Sequence, residues 1–199
     1  YSFILDSGNS ISVSRFTTSP KVTGTHPEGY ALTNPYKSYS GTSISAKWDY
    51  NGTMIGISTS SPYAVELTYN SGILTNAGAK ITSNETAILA ARSVGNGFKV
   101  FGGLRLNQYK GSVQKPYYGG AANPTFSVAG GYTFDLDSGS TTGFAIGAAY
   151  EVPQIMLRAS IQYNSEIKHN DAKITETLGG ATTPSEPTDM ISPSSMIFL

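Results

Sequence analysis

Between Thr142 and Ser165 the chain alternates with period two on both sides of one tight connection, a pattern few folds accept. Phe144, Ile146, Ala148 and Tyr150 take turns with Ala145, Gly147, Ala149 and Glu151. After Val152-Pro153-Gln154, residues Ile155, Leu157, Ala159, Ile161 and Tyr163 take turns with Met156, Arg158, Ser160, Gln162 and Asn164. Successive side chains of a strand point to opposite faces, so this hairpin sets one face in apolar surroundings and the other in polar ones. An apolar face ending in tyrosine, opposed by Arg158 and Gln162, suits a wall with lipid outside and water inside. A soluble β-sandwich strand can alternate in the same way, so the connections have to decide.

Strands are expected at Ser10–Phe16, Ser43–Tyr50, Thr53–Thr59, Ala64–Tyr69, Glu85–Val94 and Phe98–Tyr109, ahead of the hairpin. Asn51-Gly52 and Gly95-Asn96-Gly97 are tight-turn signals. Thr125–Leu136 also alternates, but a full crossing there would put the later turns on the wrong side. It is therefore assigned as a hairpin or strand extension inside one long loop. Short connections (51–52, 95–97, 152–154) then share one end, and long ones (19–40, 70–83, 111–141, 166–192) share the other. That asymmetry is the outer-membrane barrel pattern of short periplasmic turns and long outer loops, and it argues against a sandwich. The expected fold is all-β, an antiparallel transmembrane β-barrel. No apolar run approaches the roughly 20 residues of a spanning helix.

Composition excludes other classes. Charged residues make up 13% of the 199, the formal net charge is zero, and no basic cluster offers a nucleic-acid footprint. Without cysteine there is no disulfide, thiolate metal site or cysteine nucleophile. His26 and His169 read as isolated loop residues with no acidic cluster beside them, and no nucleophile-elbow pattern occurs. No enzyme activity, cofactor or metal is expected. Asn51-Gly52-Thr53 and Asn84-Glu85-Thr86 match the glycosylation pattern by chance, one being a turn and the other opening a strand. Ser194–Leu199 reads as a strand stopped in its course, and no initiator methionine or signal peptide opens the chain. The expectation is a fragment, with sequence missing after Leu199 and before Tyr1.

One position demands an interruption. Pro62 cannot donate to a sheet ladder, so the strand through Ser61-Pro62-Tyr63 must bend, bulge or lose a partner.

Particular stretches resemble the FadL family of outer-membrane long-chain fatty-acid and hydrocarbon transporters. They are Phe101-Gly102-Gly103-Leu104-Arg105, the run Thr142–Pro153, and Ile155–Ile167, with Ser192-Pro193-Ser194-Ser195 resembling the family's start of a further strand. The resemblance implies a fourteen-stranded barrel with an N-terminal hatch in the lumen. This chain then holds about half of it: residues 1–9 end the hatch, and residues 10–199 form about seven strands plus the start of the next. It implies passive transport, in which a hydrophobic molecule is caught outside, passes to an inner pocket and leaves sideways through the wall. In the family a kink in the third strand opens that lateral gap, which falls here on Ser61, Pro62, Tyr63 and Ala64. An ordinary bulge re-aiming the strand is the competing reading.

Ligand-binding candidates are Arg105 and Arg158 on lumen faces, Lys110 and Lys115 near the loop mouth, and Tyr117, Tyr118 and Phe126 (with Val128) in an outer groove. Inward arginines also serve lumen networks with Asp or Glu, and the loop aromatics also suit a loop packed on itself. Implied partners are a long-chain fatty acid or other hydrophobic small molecule, outer-membrane lipid and lipopolysaccharide, with no nucleic acid and a monomeric complete protein. The alternative is a structural or receptor-type outer-membrane barrel whose loops bind a partner and which transports nothing.

Overall fold

The computed structural model describes residues 1–25, 31–70, 75–115, 131–183 and 186–199. A one-turn helix, Ser2–Leu5, is followed by β1 (Ser10–Thr18), the short pair β2 (Gly24–Thr25) and β3 (Ala31–Leu32), and β4 (Tyr39–Tyr50). Then come β5 (Thr53–Ser60), β6 (Ala64–Thr68), β7 (Gly78–Gly95), β8 (Phe98–Lys115) and β9 (Tyr132–Val152). The last are β10 (Leu157–Asn164), β11 (Ile167–Leu178), β12 (Ala181–Thr182), β13 (Glu186–Ser192) and β14 (Ser195–Phe198). Apart from β2 and β3 they form one antiparallel sheet, ordered β1-β4-β5-β7-β8-β9-β10-β14. The pieces β6, β11 and β13 continue β5, β10 and β14 along the same neighbours, so the wall has eight strands, half of a barrel.

Tight turns hold one rim. Tyr50 pairs Thr53, Gly95 pairs Phe98 and Val152 pairs Leu157. Asn51 and Gly52 both take positive φ (53° and 76°), the backbone that a two-residue hairpin with matching twist requires. The third turn is longer than its sequence suggested. Pro153–Ile155 forms a 3-10 turn and Met156 takes φ 52°, so Ile155 and Met156 belong to the connection and β10 starts at Leu157.

Face assignment follows strand parity. On β8 Val100, Leu104 and Leu106 point out and are exposed, while Phe101 and Asn107 are buried inside. On β7 Ile88 points out, and Ala87, Leu89 and Ala91 point in. Outward aromatics lie along the tight-turn rim: Phe98 and Tyr150 are 4.7 Å apart on β8 and β9, and Trp48 and Tyr50 are exposed near the end of β4. The pattern matches the apolar band and aromatic girdle that a lipid-facing wall carries. The inner face is covered near the same rim by the first residues: Ile4 and Leu5, 1% and 2% exposed, pack with Met54, Ala87, Leu89, Ala91, Phe101, Ala145 and Ala149.

The long connections are shorter than their sequence suggested, because strands continue through them. Gly78–Ser83 is strand, β8 reaches Lys115, β9 begins at Tyr132, and β11 and β13 occupy most of 166–192. His169 is therefore no loop residue: it lies on β11, fully buried, edge-on to Tyr109 at 5.7 Å. At roughly 3.3 Å per residue and 45° tilt, an 18-residue strand rises about 40 Å, against an apolar band of about 25 Å. On β8 the outward residues are apolar only from Phe98 to Leu106, and then come Gln108, Lys110 and Ser112. The upper third of the wall stands clear of the band.

Candidate functional site

The third wall strand is broken where proline was expected to break it. Ser60 pairs Glu85 and Ala64 pairs Thr82, so Ser61, Pro62 and Tyr63 face only Ser83 and Asn84 across the ladder. One extra residue reverses the faces: Met54 on β5 is buried inside, whereas Ala64 and Glu66 on β6 share the outward parity of Thr82 and Lys80. The side towards β7 is stitched. The Tyr63 amide donates to Ser83 Oγ (2.8 Å), the Ser83 amide and hydroxyl both donate to the Tyr63 carbonyl, and Ser61 Oγ donates to Asn84 Oδ1 (3.1 Å).

The other side is open. The β4–β5 ladder ends at Ile44 opposite Thr59, and Tyr39–Ser43 pairs only with β1. Contact with the third strand resumes above, where the Lys37 amide donates to the Glu66 carbonyl (2.9 Å) and the Thr68 amide to the Pro35 carbonyl (2.7 Å). Among the described residues no backbone hydrogen bond joins Tyr39–Ser43 to Ser61–Val65. A window in the wall results, with Pro62 on its edge.

Behind it lies a cavity of 580 Å³, lined by Tyr1, Pro62, Tyr63, Glu85, Arg105, Tyr109, Gln162, Asn164 and Ser192–Ser195, with Ile197. Tyr63 stacks on Tyr109 at 6.3 Å, and Ser192 Oγ donates to Tyr109 Oη (2.9 Å). Arg105 meets Glu85 at 2.6 Å and donates through Nε to Tyr1 Oη at 3.0 Å; Tyr1 Oη in turn donates to Glu85. Asn107 also reaches Glu85 (3.4 Å). The cavity is aromatic and hydroxylic, with one neutralised ion pair at its floor.

The candidates divide. Ser61, Pro62, Tyr63 and Ala64 frame the window, and Arg105 lies in the cavity. Arg158 does not: it sits near the tight-turn rim, bonded to Asp6 (2.7 Å) and Glu151 (2.6 Å), with Lys99 on Glu151 (2.8 Å) and Lys47 on the Asp6 carbonyl (2.7 Å). Lys110 points outward, 3.5 Å from Asp137, rather than into the mouth. Lys115 ends β8 opposite Tyr132. Tyr117, Tyr118, Phe126 and Val128 lie outside the described residues. Glu85, Tyr109, Gln162 and Asn164 were not among the ligand-binding candidates, although inward parity with Ala87, Arg105 and Arg158 marks each of them.

No family model and no curated protein matches the chain. Among solved structures it is similar to the crystal structure of a Pseudomonas aeruginosa FadL homologue, with a TM-score of 0.57 and 14% identity. The match covers 86% of this chain and 45% of that one. At that identity the likeness is one of fold: the chain has the architecture of that barrel's wall, over less than half of its length.

Proposed function

We propose that the intact protein is an outer-membrane carrier of hydrophobic small molecules, long-chain fatty acids or hydrocarbons, which leave the lumen sideways through the barrel wall. The observation that carries this reading is the window between β4 and the third strand, because Pro62 and Tyr63 border it and also line the cavity behind it. A hydrophobic molecule loses about 25 cal/mol per Å² of stabilisation wherever it must expose apolar surface to water. A side exit into the membrane spares it the aqueous route down the lumen. Residues 1–9 act as the end of a hatch: Ile4 and Leu5 cover the inner wall near the tight-turn rim and obstruct the straight path. Both inward arginines are engaged by carboxylates, an arrangement that suits an uncharged hydrocarbon as well as an acid. The test is uptake of labelled oleate or toluene by cells carrying the complete gene. Uptake above a barrel-less control is expected. No gain over that control overturns the proposal in favour of a structural or receptor-type barrel.

A further inference from the structure

Above the apolar band, the outer face carries two polar rows that cross several strands in register. Ala64, Thr82, Lys110, Asp137 and Lys173 are successive cross-strand partners, and so are Glu66, Lys80, Ser112, Asp135 and Thr175. Parity places both rows outside: Lys110 and Ser112 continue the outward series of Leu104 and Leu106, and Lys80 and Thr82 that of Ile88. On β9 a bulge makes this possible. Tyr109 faces both Ser138 and Gly139, the latter at φ 64°, and the extra residue turns Asp137 and Asp135 outward although Phe144 and Ile146 set the opposite parity. The rows enclose a groove of 490 Å³ lined by Lys80, Lys110, Lys173, Asp135 and Asp137, with the hydroxyls of Thr82, Ser112 and Thr175.

The lysines are spaced by carboxylates rather than extinguished by them. Glu66 holds Lys80 at 3.2 Å and Lys37 at 3.1 Å, Asp137 holds Lys110 at 3.5 Å, and Lys173 makes no ion pair among the described residues. An ammonium has three donors, so a lysine paired once keeps donors for a second anion. Gly139's amide and Gln108 hold Asp137 below the usual carboxylate range, and Lys37 and Lys80 do the same for Glu66. Both carboxylates thus stay charged and keep the lysines in place. The groove therefore gathers ammonium and hydroxyl donors on the outer face, beyond the apolar outward run that ends at Leu106. Beyond its apolar band, the outer face of an outer-membrane barrel meets the headgroups of the outer leaflet.

We infer that this groove binds the phosphate of a phosphorylated glycolipid of the outer leaflet, with Lys80, Lys110 and Lys173 as its cationic contacts. The inference rests on the outer-membrane reading above; the groove shares no lining residue with the cavity, although its Thr82 pairs with Ala64 at the edge of the window. The test uses the complete protein extracted from outer membranes, as wild type and as the triple variant Lys80→Gln, Lys110→Gln, Lys173→Gln. Mass spectrometry of co-purified lipid reads the outcome. The wild type is expected to retain phosphorylated glycolipid, and the variant at least tenfold less, with heat-modifiable migration and oleate uptake unchanged. Added phosphorylated glycolipid should raise the wild-type melting temperature, and its dephosphorylated form should not. Equal retention by the variant overturns the inference. So does equal stabilisation by the dephosphorylated form or by inorganic phosphate alone. A folded barrel that fractionates with outer membranes yet retains no such lipid sinks this site only; a protein absent from outer membranes sinks the membrane reading as well.

Discussion

Gly147 and Phe101 are cross-strand partners, and the phenyl ring lies directly over the glycine: a Cβ added there would sit 2.3 Å from the ring. Phe16 covers Gly41 in the same way across β1 and β4. An aromatic ring laid over a glycine fills the pleat and covers backbone that glycine leaves bare. Gly147→Val must displace Phe101, which is buried, and overpacking of this kind costs about 1–3 kcal/mol. Guanidinium unfolding of the intact barrel in lipid should show that loss, and Gly111→Ala, whose added Cβ would meet nothing nearer than 3.6 Å, should show none from crowding. Glu85 is a second such point. Its side chain is 8% exposed and that of Arg105 is 13% exposed, so Glu85→Ala strands a guanidinium and should cost about 3–5 kcal/mol. The double variant Glu85→Leu, Arg105→Met should recover most of that loss. If the single and double variants are equally unstable, the pair is not the source.

At the scale of the strand, the third wall element is organised by a single residue more than its neighbour. Its ladder with β7 stays closed through Ser83, while its ladder with β4 does not. In the intact protein the amides of the third strand and β4 that face the window should exchange hydrogen much faster than those of the β7–β8 ladder. Equal protection would mean that the window is closed in solution. Proline made the break legible in the sequence, and alternation made the wall faces legible wherever the outward side is apolar. Farther along, the outward residues Lys80, Thr82, Lys110 and Ser112 are polar and the inward ones are mixed, Ile81 and Val113 with Ser83 and Gly111, so these stretches read as loop. The Ser138–Gly139 bulge was hidden because Tyr132, Phe134 and Leu136 alternate up to it and Phe144 resumes the rhythm beyond it, while 138–143 holds no apolar side chain to show that the parity has shifted. His169 was misread with it, its burial arising from neighbours far apart in the chain.

The whole molecule is half a closed sheet, with β1 and β14 at its two edges and the first five residues laid against the concave side. Ile4→Ala would remove the best-buried side chain of that contact; such truncations cost about 2–5 kcal/mol. If those residues obstruct the lumen, the variant should also raise leakage of small polar solutes through the intact barrel; unchanged leakage would deny them that role. What the sequence made legible at this scale was the architecture, through turn-length asymmetry and outward aromatics. The cavity was not legible, because Tyr1, Pro62, Glu85, Tyr109, Asn164 and Ser192 converge only when eight strands curl together. The central claim is that the window beside Pro62 is the exit. Deleting Pro62 leaves two residues facing Ser83 and Asn84, restores one continuous register with β7, and lets the third strand pair with β4 along its length. The most direct measurement is uptake of labelled oleate by cells carrying the complete gene with and without that deletion, both barrels shown to be folded by heat-modifiable migration. Uptake should fall to the barrel-less level when Pro62 is deleted; wild-type uptake through a barrel whose window amides have become protected would rule the window out as the exit.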